Sequence, residues 1–464
     1  MAKSSTIKVL EHCYVSPPPN SVPPTSLPLT FFDIPWLFFS TTPSQPLFFY
    51  EYPHPTSHFI STTVPILKHS LSLTLQHCYT FAGNLKSPHE PGKPELVYTE
   101  GDKVRLTFAE SGGDFNHLSG NHPRYVNEFY QLVPELPTSV SCEKQLLPLL
   151  AVQITVFPSS GICIGLAYQH VAADGRTFNN FMKTWASFCS FGDSFSIKSL
   201  PCFDRRVILD SHGLEGIFLK EWRKPRSSKD TVAGNEANAS LSDMVRATFV
   251  VGSTDMERIK TWIIAECKKN NVPLPIHLSA YVLTCAFLWV CLIKTQERTI
   301  EKCYGGRDPN YFGFIAGGIT RLDFPVPATY FGNCVGFGRA MAMRNELMGE
   351  DGVVVAAKAI GSTVKRLDKA IFEGAEKWIS DWEVLFGSEL HVMVSGSPKL
   401  DLYETDFGWG RAKKIEEISI DWMRAISLTE SRDVEGGIEV GLALPKTKMD
   451  AFSSFFYQGL KALP

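Results

Sequence analysis

His170-Val171-Ala172-Ala173-Asp174, followed at once by Gly175, sets an imidazole four residues ahead of a carboxylate. Histidine titrates closest to neutrality, so one delivered by a strand end into a cleft takes a proton from a substrate hydroxyl. Spacing alone is weak: with 12 His in the chain, chance supplies an Asp at that offset about once in two such sequences, so context has to carry the reading. Two other arrangements look chemical and do not hold. Gly161-Ile162-Cys163-Ile164-Gly165 has the form of a nucleophile elbow, yet an elbow turns into a helix right after its nucleophile, and here apolar residues continue to Gln169. Asp406-Phe407-Gly408 matches the magnesium-holding triplet of kinases, without the Gly-rich loop, strand Lys or H-R-D that must accompany it. His170 and Asp174 alone are too few ligands for a metal, and no third stands nearby, so no metal site is expected.

The elements flanking His170 give it a setting. Leu150 to Phe157 and Gly161 to Gln169 read as two strands joined by Pro158-Ser159-Ser160, a hairpin whose second strand ends on His170. Downstream, Phe178, Phe181, Met182, Trp185, Phe188 and Cys189 recur at helical spacing, which predicts an amphipathic helix from Gly175 with Asp174 as its N-cap. Upstream, a Pro-rich segment over residues 16 to 35 should run extended and lead into an aromatic cluster around Phe31, Phe32, Trp36, Phe38 and Phe39. A helix is expected from Val64 to Cys78, then a strand pair, Glu95 to Tyr98 and Lys103 to Phe108, around Glu100-Gly101-Asp102.

The whole chain sets limits. At 464 residues with 44% hydrophobic and 20% charged side chains, it is too long for one compact core, and two domains are expected. A formal net charge of -3 with no basic block gives no footprint for nucleic acid or an anionic membrane, which leaves a small-molecule partner. The start, Met1 to Lys8, has no apolar signal region, and the 11 Cys include no C-x-x-C pair, so a cytoplasmic protein with reduced thiols is expected. The run Leu278 to Ile293 falls short of the roughly 20 residues that span a bilayer and reads as a buried helix. The pattern loosens between residues 197 and 241, where the crossover is placed: a first domain over 1–200, a connection over 201–240, and a second domain over 241–464.

Three motifs together give a resemblance. His170 to Gly175, Tyr330-Phe331-Gly332-Asn333-Cys334 and Asp406-Phe407-Gly408-Trp409-Gly410 resemble, in order and spacing, the plant BAHD acyltransferases, which move acyl groups from coenzyme A thioesters to alcohols or amines. The resemblance implies an α/β fold of two similarly sized mixed-sheet domains, like chloramphenicol acetyltransferase, with a channel between them. The Tyr330 to Cys334 motif resembles the group that acts on sugar hydroxyls of anthocyanins and other flavonoid or phenolic glucosides. It implies a monomer with acyl-CoA as co-substrate and no permanent cofactor.

The resemblance also distributes roles. His170 is the general base, and Asp174 is a brace that pairs with an Arg ahead of Tyr330, for which Arg321 is the candidate. Ile319 stands where the family often has another Arg. Asp406, Gly408, Trp409 and Gly410 form a scaffold, and Ser395 and Ser397 in Val394-Ser395-Gly396-Ser397-Pro398, with Ser279, are donor contacts; ordinary turn chemistry competes for the two serines. Arg176 sits in the first helical turn, where a cation opposes the helix dipole. It either grips the free carboxylate of malonyl-CoA or is a solvated surface Arg. Trp36 either stacks on a planar acceptor or belongs to the core. Malonyl-CoA is the favoured donor, a hydroxycinnamoyl-CoA the alternative; a non-catalytic ligand-binding relative and an acyl hydrolase are the other readings.

Overall fold

A computed structural model describes residues 7–39, 41–87, 92–137, 146–224, 241–299, 308–386, 391–423 and 425–464. Residues 225 to 240, the polar later part of the expected crossover, lie outside them. Two large sheets and one small one organise the described residues. The six-stranded sheet runs in the order Ile7–Val15, Val104–Ser111, Leu150–Phe157, Gly161–Tyr168, Pro46–Glu51, Lys414–Glu417. The seven-stranded sheet runs Val335–Met343, Pro309–Gly317, Val392–Gly396, Ala425–Glu430, Ile438–Pro445, Met244–Val251, Arg124–Tyr125. Each sheet is thus closed at one edge by a strand from the other half of the sequence. The halves are interlocked.

The hairpin forms as expected, Leu150–Phe157 against Gly161–Tyr168 in antiparallel register. Every residue of both strands is buried; a strand covered on both faces reads as a continuous apolar run. The helix Gly175–Phe191 follows, with Phe178, Phe181, Met182, Trp185 and Phe188 on its buried side. The helix Ala280–Thr299 is apolar almost all round because it lies between the helices Gly352–Lys369 and Lys446–Ala462. No helix of the described residues is long and apolar enough to cross a membrane.

One expectation is corrected. Glu95–Tyr98 and Val104–Ser111 are both strands, yet they do not pair. The first joins Thr25–Pro28 and Asn84–Lys86 in the small four-stranded sheet, and the second pairs with Ile7–Val15 and Leu150–Phe157. Alternation identifies a strand; it carries no information on which sheet edge will accept it.

Candidate active site

His170 stands two residues beyond the strand Gly161–Tyr168, in a single turn, His170–Ala172, that precedes the helix Gly175–Phe191. The turn leaves its ring against Trp36, stacked at 3.5 Å between centroids with 15° between planes. Nδ1 is enclosed and makes no hydrogen bond. Nε2, neither enclosed nor bonded, is the nitrogen left open. Burial pulls the imidazole from 6.5 down to about 4, against the opposing influence of Asp174, its own carbonyl, the Asn333 side chain and Asp33. It is therefore neutral at physiological pH, the state a general base must be in.

Asp174 faces away from that chemistry. Its Oδ1 accepts from Thr177 N at 2.8 Å as the helix N-cap, and its Oδ2 accepts from Cys334 N at 3.1 Å. Those two bonds tie the strand-to-helix turn to the Tyr330 to Cys334 segment. The expected Arg321 pairing is corrected: Arg321 donates to Asp368 at 2.9 Å and to Gly317 O at 2.6 Å. The cation beside Asp174 is Arg176, with Nη2 3.8 Å from Oδ2. Asp174 is the N-cap and Arg176 the second residue of the same helix, so their proximity is local and needs no distant Arg. Arg176 also donates to Ala328 O and Tyr330 O, each at 2.7 Å, which leaves its Nε–H outside these bonds.

The Tyr330 to Cys334 segment is held from below by side chains that sequence reading did not single out. Asp33 is fully buried, and its Oδ1 accepts from the backbone and side-chain nitrogens of Asn333 at 3.1 and 3.0 Å. Arg205 donates to the Tyr330 hydroxyl at 2.6 Å and to Phe331 O at 3.0 Å, with Asp33 Oδ2 at 3.8 Å. Gly332, at φ 149°, is where Arg205 passes: any Cβ there would collide with Nη1. A lone carboxylate inside the aromatic run Phe31-Phe32-Asp33-Ile34 was a signal of a buried partner. Arg205 gave none. Beside Trp36, the rings of Trp382 at 5.2 Å and Phe39 at 6.0 Å make an aromatic wall, which Phe386 and Phe337 extend. Trp36 therefore stacks on His170 and on this wall.

The remaining residues separate by position. Ser397 forms a turn, accepting from Lys399 N at 3.3 Å, and this turn brings Leu400 against Gly175 and its carbonyl to Asn179. Ser395, half-buried, lies on the strand leading into that turn. Both serines are thus near the start of the helix that follows His170. Ser279 caps Ala280–Thr299, accepting from Val282 N at 3.4 Å, and nothing links it to His170. Asp406 holds its own loop, with Oδ1 accepting from Gly408 N at 2.7 Å and Gly410 N at 2.9 Å. Ser190 donates to Asp406 O, and Phe407 packs on Trp185. That loop sits at the opposite end of the helix from His170, about 22 Å along its axis.

Cys163 is buried within its strand, and burial pushes its thiol well up, so it is no nucleophile. Among the described residues no group of His, Cys, Asp or Glu is placed to hold a metal ion.

The chain resembles known transferases over nearly its whole length. A model of the "Transferase family" matches residues 7–458. The chain is 38% identical to the malonyl-coenzyme A:anthocyanin 3-O-glucoside-6''-O-malonyltransferase of Dahlia pinnata, covering 98% of each chain. It is 37% identical to the coumaroyl-CoA:anthocyanidin 3-O-glucoside-6''-O-coumaroyltransferase 1 of Arabidopsis thaliana, covering 98% of this chain and 97% of that one. In three dimensions it resembles vinorine synthase, with a TM-score of 0.68 at 19% identity over 96% of each chain.

Proposed function

The chain belongs to the BAHD transferase family, and from that premise we propose that it moves an acyl group, malonyl first among them, from a coenzyme A thioester to a sugar hydroxyl of an anthocyanin, flavonoid or other phenolic glucoside. His170 is the base. Its Nε2 takes the proton of the acceptor hydroxyl as the oxygen attacks the thioester carbonyl. The C–O bond forms, a tetrahedral oxyanion results, and its collapse breaks the C–S bond and releases coenzyme A thiolate. No acyl-enzyme intervenes. The observation that carries this reading is the neutral imidazole at the strand-to-helix turn, with Nδ1 enclosed and Nε2 open.

Asp174 braces the turn that presents His170, and the Asp406 to Gly410 loop supports the far end of the same helix. The Ser395 to Ser397 turn contributes to the donor side, and Trp36 contributes to the acceptor side through the aromatic wall it shares with Trp382. The chain acts as a cytosolic monomer of two domains joined near residues 201–240.

Arg176 supports malonyl as the group moved: two carbonyls fix its guanidinium near the catalytic turn, and its Nε–H remains to meet a carboxylate. A hydroxycinnamoyl donor is the second reading, favoured by the aromatic wall beside His170. The test is purified chain with a panel of phenolic glucosides and malonyl-, acetyl- and coumaroyl-CoA, the product mass being read directly. Malonylated glucoside is expected, and free thiol without an acylated product would overturn acyl transfer in favour of hydrolysis. Arg176→Ala is expected to raise KM for malonyl-CoA at least about tenfold more than KM for acetyl-CoA; equal effects on both would remove Arg176 from donor selection.

A further inference from the structure

A histidine base is ordinarily oriented by a partner on its second ring nitrogen, because that bond fixes tautomer and ring plane together. Asp174 does not fill that place for His170: Nδ1 is enclosed without a hydrogen bond, both Asp174 oxygens are engaged elsewhere, and the polar side chain that acts on the ring beside it is Asn333. Something else must hold the imidazole, since its approach to the acceptor tolerates little displacement.

Two contacts do so, and both originate in one turn. Asn333 Nδ2 gives one N–H to Asp33 Oδ1 and shares the other between His170 O at 2.9 Å and Val171 O at 3.2 Å, two consecutive carbonyls of the catalytic turn. Asn333 is itself oriented by Asp33 Oδ1, which its side chain and backbone both reach. The other Asp33 oxygen accepts from Thr30 N at 2.9 Å and Thr30 Oγ1 at 2.8 Å. Asp33 O in turn accepts from Trp36 N at 3.0 Å, and the Trp36 ring stacks on His170. The turn from Thr30 to Trp36 therefore meets His170 twice, with a ring on its imidazole and, through Asn333, an amide on its carbonyl. Asp33 and Asn333 are fully buried. A polar pair of that kind costs desolvation unless its bonds are made, so its geometry is tightly determined.

We infer that Asn333, aligned by Asp33, is a positioning residue for the general base: it sets the backbone of the His170 turn so that the imidazole lies flat on Trp36 with Nε2 facing the acceptor. The inference rests on the reading of His170 as that base. Asp174 and Asn333 divide the work, Asp174 fastening the start of the helix to Cys334 and Asn333 fastening the base itself. The asparagine of the Tyr330 to Cys334 motif thereby acquires a role distinct from its neighbours, since Tyr330 and Phe331 serve as partners of Arg205.

Two variants separate positioning from simple stability. Asn333→Leu keeps the branched shape and removes the N–H that reaches the turn. The exchange Asp33→Asn with Asn333→Asp lets the side-chain bond between the two positions re-form with its donor reversed, while leaving no donor for His170 O. Both are assayed with a phenolic glucoside and malonyl-CoA, the turnover being counted per site that binds coenzyme A in calorimetry, beside the unaltered chain and His170→Ala. The expected result is a kcat per coenzyme A-binding site that falls about 100-fold in either variant, with both KM values within about threefold. A kcat per site within about threefold of the unaltered chain in either variant overturns the inference. So does failure of both variants to yield coenzyme A-binding protein, which would make Asn333 a folding residue only. Turnover that survives in His170→Ala overturns the general-base reading and this one with it; turnover lost there but kept in Asn333→Leu overturns this one alone.

Discussion

The carboxylate four residues after His170 is the residue whose role the geometry defines most sharply. Each Asp174 oxygen accepts one backbone N–H, from Thr177 and from Cys334, so the residue works as a fastener between two segments 160 residues apart. Asparagine at this position would offer one acceptor and set an NH2 against a second donor. Asp174→Asn is therefore expected to lower stability by about 1–2 kcal/mol in denaturant titration, while the folded fraction keeps most of its turnover. A variant of unchanged stability with no activity would contradict this. At this scale the sequence was legible where structure is local: the strand-to-helix turn that carries His170, the Asp174 N-cap and the strand that buries Cys163 follow from a few neighbouring residues. Partners across long separations were not legible. Arg321 was assigned to Asp174 by position in the chain, and its short reach goes instead to Asp368 and Gly317. Asp33, Arg205 and Asn333 meet over separations that no periodicity reports.

Secondary structure around the site was largely readable because its two periods are pronounced. The hairpin, the turn bearing His170 and the helix Gly175–Phe191 all stand where alternation gives way to helical spacing. The loop from Asp406 to Gly410 supports that helix from its far end, and it depends on backbone that only glycine adopts easily, with φ of 92° at Gly408 and 86° at Gly410. Nothing crowds a Cβ at Gly408 closer than 3.6 Å, so Gly408→Ala introduces conformational strain with little steric conflict. It is expected to cost about 1–2 kcal/mol in thermal or chemical unfolding, with kcat nearly unchanged in the folded protein. A large kcat loss at full stability would place this loop in the chemistry. Strand partnering was the part that sequence left open, as Glu95–Tyr98 and Val104–Ser111 illustrate: each has the pattern of a strand, and the sheet each joins is decided by edges far away in the chain.

The whole molecule is one interlocked body because each large sheet borrows its last strand from the other half. The borrowed strands meet in buried charge: Arg124 lies 2.8 Å from Glu416, Arg246 lies 3.1 Å from Glu416 and 3.4 Å from Asp421, and Lys414 lies 3.0 Å from Glu439. A reading of two consecutive domains gave no hint of this exchange, since an isolated Arg or Glu in a strand does not declare its partner. Burial alone would raise the Glu416 carboxyl, but Arg124, Arg246 and Lys414 hold it down at about 2, against 4.5 when unperturbed. A folded-state value below the unfolded one contributes stability that is complete above pH 4.5 and is lost as pH falls towards 2. Glu416→Gln is accordingly expected to lower stability by about 3–5 kcal/mol at neutral pH, since it leaves buried cations short of a charge. The gap to the unaltered chain should narrow below pH 4.5; a gap that is constant down to low pH would contradict the ion-pair account. Interlocked sheets hold the His170 turn, the Tyr330 to Cys334 segment and the Ser397 turn in one frame, and acyl transfer is what that frame is proposed to serve. The most direct measurement is product formation by His170→Ala with malonyl-CoA and a phenolic glucoside, alongside its coenzyme A affinity. The account predicts that turnover falls about 10²–10⁴-fold while coenzyme A binding stays within about threefold. Turnover close to that of the unaltered chain, with coenzyme A still bound, would show that the base lies elsewhere.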